Sequence, residues 1–150
     1  MLLVYKFNFF KSGYDLNDDY ERLSDIDKER IADMQADSFM EYEEDGKYAF
    51  FIIAEPTEIK KYTNILDENL VPYNVKNISN DVLKNTFNIE NYISSDTDSF
   101  NSLRYKFFID DLNDWIYNNL DIDTILDRIS SVGMKSLTKV EKKFLKNYNL

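Results

Sequence analysis

The run Lys47-Tyr48-Ala49-Phe50-Phe51-Ile52-Ile53-Ala54 decides how this chain is read. It is short, continuously apolar after its first residue, and rich in aromatic and β-branched side chains. Such a segment, bounded by Gly46 on one side and Pro56 on the other, fits a central β-strand. Downstream, Pro56 stands where the first helical residue would. Ile59, Tyr62, Leu66 and Leu70 then recur at helical spacing, which predicts an amphipathic helix over 56–68. Val71–Ser79 returns to extended character.

Upstream, Ser24 is a good N-cap, and Asp25, Asp27 and Glu29 follow it in the first turn. A helix from about 25 to 43 is expected, with Ile26, Ile31, Met34, Phe39 and Met40 as its apolar side. Leu2–Phe10 reads as a strand. The first 80 residues therefore read β-α-β-α-β, an order that argues for right-handed crossovers and partly parallel pairing.

The second half is helical. Asp81–Lys84 fits one helical turn, and Asn80–Asp98 gives no clear pattern. The polar stretch 94–99 is the best boundary. A helix over about 99–119 carries Phe100, Leu103, Phe107, Phe108, Leu112, Trp115 and Ile116 as a wide apolar face. Ile122, Ile125, Leu126 and Ile129 give a further stripe, stopped by Gly133 at a left-handed C′ position. Thr138-Lys139-Val140-Glu141 is a capping box that opens a last helix. The expected fold class is α+β: a small three-stranded β-α-β-α-β layer packed against a helical C-terminal half ending in a helix hairpin. Residues 1–95 form the α/β lobe and 96–150 the helical lobe, with the hairpin at 121–150, in one cooperative unit.

The segment from Ile125 to Leu145 resembles a short helix–Gly–helix hairpin. That hairpin recurs at the C-termini of bacterial and phage proteins, including rhomboid-type membrane proteases of Bacteroidota. The shared pattern is Leu126-Asp127-x-Ile129, then Gly133, then Ser136-Leu137-Thr138-x-x-Glu141-Lys142-x-Phe144-Leu145. The resemblance implies a two-helix docking element of bacterial or phage origin, a source that the Asn-, Lys- and Ile-rich composition also suits. It covers about 25 of the 150 residues. Protease activity does not carry over with it, because in that family the hairpin is an appendage outside the catalytic domain.

Composition excludes several kinds of chemistry. The chain has no histidine and no cysteine. Ser-His-Asp and Cys-His catalysis are therefore ruled out, as are the usual zinc sites. Three isolated glycines cannot build a phosphate-cradling loop. No apolar run approaches the roughly 20 residues needed to span a bilayer. The segment Met1–Lys6 lacks the pattern of a signal peptide, so a cytoplasmic protein without membrane contact is expected.

Net charge is −10 and unevenly spread. Residues 132–150 hold five lysines (135, 139, 142, 143 and 146) against Glu141, a net +4, so the other 131 residues hold −14. Such a field repels nucleic acid and attracts basic protein surfaces. Intramolecular contact with the acidic remainder is the simplest use for the tail lysines. Asp110 and Asp114 stack at i, i+4, where like charges without a cation are mildly destabilising. Asp110, Asp111 and Asp114, with Glu43, Glu44 and Asp45, are accordingly the candidate partner-binding residues. No catalytic residue, metal ligand or cofactor is expected. The sequence points to a non-enzymatic acidic module that binds a basic protein surface, in concrete form a phage-type inhibitor acting by charge mimicry. An accessory assembly protein, with acidity serving solubility, is the alternative, and a carboxylate-metal enzyme is a third reading. Direct nucleic-acid binding is not expected.

Overall fold

The computed structural model describes residues 1–9, 21–36, 38–42, 48–84 and 99–148. Ten elements of α-helix and β-strand are defined within them: β1 (Leu3–Phe9), α1 (Asp25–Ala36), β2 (Ser38–Tyr42), β3 (Tyr48–Ala54), α2 (Pro56–Glu68), β4 (Tyr73–Asn77), α3 (Ser79–Leu83), α4 (Ser99–Asn119), α5 (Ile122–Val132) and α6 (Lys139–Asn147). A short 3-10 turn, Met134–Ser136, joins the last two helices.

The fold class is α+β, and the three expected strands are present as β1, β3 and β4. A fourth, β2, occupies residues expected to continue the first helix. The helix stops at Ala36 because Phe39 and Met40 satisfy a hairpin with β3, where Phe39 pairs with Phe51 and Met40 with Phe50. Ladder hydrogen bonds to a central apolar strand outweigh weak local helix propensity.

The sheet order is β2-β3-β1-β4, and all its pairings are antiparallel. The expectation of parallel neighbours is therefore corrected. The helical crossovers do exist. β3 and β4, joined by α2, run parallel to each other, but β1 is inserted between them. β1 and β2 are likewise parallel, with β3 between. Two interleaved β-α-β units of this kind form the ferredoxin-like β-α-β-β-α-β plan.

Helices cover both faces of this sheet. Phe50 and Ile52 of β3 join Tyr5, Phe7 and Phe9 beneath α1 and α2, where Ile31, Ile59, Tyr62, Ile65 and Leu66 meet them. The Phe7, Phe50 and Tyr62 rings lie within 5.2–6.0 Å of one another. Ala49 and Phe51 face the other way and join Val4, Ile78 and Val82 beneath Phe108, Leu112 and Trp115 of α4. An antiparallel sheet usually leaves one face wet and its strands alternate. Burial on both sides explains why β3 is apolar throughout.

The local signals act as read. Ser24 Oγ accepts from the Asp27 amide at 3.2 Å to open α1. Pro56 is the first residue of α2. Ile26 and Phe107, both expected in apolar faces, are exposed instead. Leu70, expected in the α2 stripe, lies beyond that helix.

A third apolar cluster of Leu120, Ile125 and Leu137, with Ile116, Ile129, Val140, Phe144 and Leu145 against it, seats the α5–α6 pair on the end of α4. Glu141 is only 2% exposed. Its carboxylate accepts from the Thr138 amide at 2.9 Å, while the Glu141 amide donates to Thr138 Oγ1 at 3.2 Å, completing the capping box. The same carboxylate forms an ion pair with Arg128 of α5. One buried acid therefore both starts α6 and ties it to α5. Gly133 has φ 85° and ψ 165°. Its φ is positive as expected, but the backbone is not left-handed helical; it lies in an extended positive-φ region used almost only by glycine.

Candidate functional site

Helical periodicity of 3.6 residues divides α4 into two faces. Phe108, Leu112 and Trp115 turn inward onto the sheet. Phe107, Asp111, Asp114 and Asn118 fall together on an exposed flank of the helix, with Asp110 further round toward solvent. The three aspartates are exposed, and none has an ion pair or hydrogen bond among the described residues. The structure thus brings Asp110, Asp111 and Asp114 onto one surface. Glu43, Glu44 and Asp45 lie outside the described residues.

Where the acidic face meets the sheet there is a groove of about 510 Å³. Leu2, Ile53, Phe108 and Trp115 supply its apolar lining, and Asp111, Asp114, Asn118 and Asn119 its polar one. Asp110 is not among the lining residues and stands on the outer side of the helix. Trp115 is fixed in the wall because its indole N–H donates to the Leu2 carbonyl at 2.8 Å. This bond joins the N-terminal segment to α4 and shapes the groove. The Asn119 side-chain Nδ2 donates to the Trp115 carbonyl at 2.8 Å.

Phe107 was expected to be core, yet 60% of it is exposed. It is one helical turn before Asp110 and Asp111, so an exposed aromatic ring adjoins the acidic surface. Aromatic side chains are common anchors of binding energy at protein interfaces. Periodicity alone does not separate residue 107 from 108, because an apolar helix face is wide enough for adjacent residues, and Phe108 and Ile109 both pack on the sheet. Leu2, Ile53 and the two asparagines carry no sequence signal either, because their convergence depends on the tertiary packing of β1, β3 and α4.

Among the described residues no group of three or more acidic side chains could hold a metal ion. No helix among them is long and apolar enough to cross a membrane. A smaller groove of about 170 Å³ between α1 and α2 is lined by charges of both signs, Arg30, Asp33, Glu58 and Lys61. The Lys61–Glu58 pair at 3.1 Å already matches two of them.

At the far end of α4, Tyr117 receives the terminal hairpin. Phe144 meets its ring edge-on at 5.9 Å, and Lys143 Nζ lies 5.0 Å from the ring centroid. Residues 117–149 are similar to a family of unknown function, DUF6576. The matched segment begins at the tyrosine against which the hairpin docks. No curated protein and no solved structure matches the chain.

Proposed function

We propose that this protein is a non-enzymatic binding module whose α4 surface receives a basic segment of a partner protein. The observation that supports this reading best is the groove beside α4, where apolar walls adjoin Asp111 and Asp114. Phe107 and Asp110 extend the same surface. A partner with lysine or arginine beside one or two apolar side chains would satisfy both parts. Each exposed charge pair would contribute about 0.2–1 kcal/mol, so the apolar contact would supply much of the affinity. The charges would chiefly raise the association rate. A phage-type inhibitor of a basic, nucleic-acid-binding or defence protein is the concrete form. The net −14 outside the tail supports it, as does the resemblance of Ile125–Leu145 to hairpins appended to bacterial and phage proteins.

Direct nucleic-acid binding through the sheet is disfavoured, because the face that could stack bases is covered by α4. The second reading is an accessory assembly protein with a salt-resistant apolar interface, and the exposure of Phe107 favours it.

Trp115 is the only tryptophan and lines the groove, so its fluorescence reports occupancy. A partner isolated by pull-down from host lysate should associate with the protein at a rate that falls as ionic strength rises. Replacing Asp110, Asp111 and Asp114 together by Asn should slow association at low salt and flatten that dependence, with the circular dichroism unchanged. A rate indifferent to salt would instead support the assembly reading.

A further inference from the structure

The terminal hairpin presents a surface of the opposite charge. No ion pair among the described residues reaches Lys135, Lys139, Lys142, Lys143 or Lys146. The expected pairing of these lysines with the acidic body is therefore absent there. Three of them, Lys135, Lys142 and Lys146, surround a groove of about 440 Å³ between the 3-10 turn and α6. Its apolar lining is Met134, Leu137 and Leu145. Leu137 is buried, while Met134 is 55% exposed.

We propose that this groove docks a short acidic segment of a partner protein, with carboxylates on Lys135, Lys142 and Lys146 and one large apolar side chain against Met134, Leu137 and Leu145. The reading is independent of the acidic groove on α4. Charge decides the sign of the occupant, because three ammonium groups that form no ion pair among the described residues attract anions. Shape decides its kind. The apolar patch is confined to Met134, Leu137 and Leu145 and bordered by the lysines, a size suited to a large apolar side chain of a short peptide. The lining is aliphatic, so it offers no aromatic face on which a base could stack. The remaining charge limits the occupant's length. A long polyanion leaving the hairpin would meet a body of net −14, whereas a short segment stays within about one Debye length, ~8 Å, of the lysines.

The test uses the whole protein and the capped, fluorescein-labelled hexapeptide Glu-Glu-Leu-Phe-Glu-Glu as the probe. Anisotropy should show saturable binding, and amide shifts should change around residues 134–146. Replacing the peptide's Leu-Phe by Ala-Ala should weaken binding about tenfold or more, as should the protein variant Lys142→Glu/Lys146→Glu. The variant's unchanged melting temperature would show that its fold is intact. A variant that does not fold is replaced by Lys142→Gln/Lys146→Gln, for which the same loss is expected. Absence of binding up to about 1 mM peptide would overturn the proposal. Equal binding of the Ala-Ala peptide would overturn the apolar part. Tighter, lysine-dependent binding of an oligothymidine or of phosphatidylserine vesicles would replace the occupant by nucleic acid or membrane.

Discussion

Two residues carry backbone conformations whose cost can be measured. Gly133 has a positive φ with an extended ψ, and a Cβ built there would meet nothing within 4 Å. Any penalty for substitution must therefore come from the backbone itself. Gly133→Val should lower stability by about 1–3 kcal/mol. Gly133→Asn should do no better, because asparagine tolerates the left-handed helical region and not this one. An unchanged melting temperature in either variant would refute the assignment. Leu70 is the reverse case. It has φ 57° and is 89% exposed. The Val71 amide donates to the Leu66 carbonyl at 2.9 Å and the Leu70 amide to the Asp67 carbonyl at 3.2 Å. These two bonds form the helix-ending motif in which glycine is the usual residue at the Leu70 position. Leu70→Gly should thus raise stability by about 1 kcal/mol, read by thermal melting. No loss of buried surface offsets the gain, since the side chain is in solvent. A destabilised variant would mean that the leucine is held by something beyond the backbone.

At the scale of elements, a side-chain hydrogen bond links α2 to β4. Tyr73 of β4 donates its hydroxyl to Asp67 of α2 at 2.8 Å. Burial, then this hydrogen bond and the Asp67 charge, push the Tyr73 phenol above its ordinary value of 10.0. Burial and the nearby Glu55 do the same for Tyr5 of β1. Both phenols therefore keep their protons in the folded chain at a pH where the unfolded chain has begun to lose them. Their contribution to stability is complete below about pH 10 and disappears as pH rises through the raised folded values. Urea unfolding followed from pH 8 to 11 should show a falling midpoint above pH 10, and Tyr73→Phe should reduce the fall. A midpoint that stays level across that range would contradict the link. Helix and strand existence was largely legible at this scale. Ser24, Pro56 and Thr138 mark starts by satisfying or lacking backbone N–H groups, which is a local property. The end of α1 was not legible, because Ser38–Tyr42 is extended only through its bonds to β3.

For the molecule as a whole, the helical half is one layer of the same structure that contains the sheet. Trp115 packs across to Val4 and Phe51 and donates to Leu2. The expected boundary near residue 95 lies outside the described residues. Unfolding in urea, followed by Trp115 fluorescence and by far-ultraviolet circular dichroism, should give coincident transitions. Separate midpoints would mean that α4 and the hairpin leave the sheet before it unfolds. The sequence by itself determined the α+β class, the central strand to within a residue, the starts of α1, α2 and α4 and the capping box at Thr138–Glu141, whereas α3 begins two residues before its expected position. Each feature so determined depends on contacts within a few residues or on a repeat along one element. It also determined that three aspartates share a surface of α4, since their spacing matches the helical period. Tertiary structure alone decided that β1 enters between β3 and β4, which residue order along the chain does not encode. It decided that both faces of the sheet are covered, for which continuous apolarity in one strand was an ambiguous sign. It decided, finally, that Leu2 and Ile53 meet Trp115 to make a groove, because residues so far apart in sequence converge only when the layers pack.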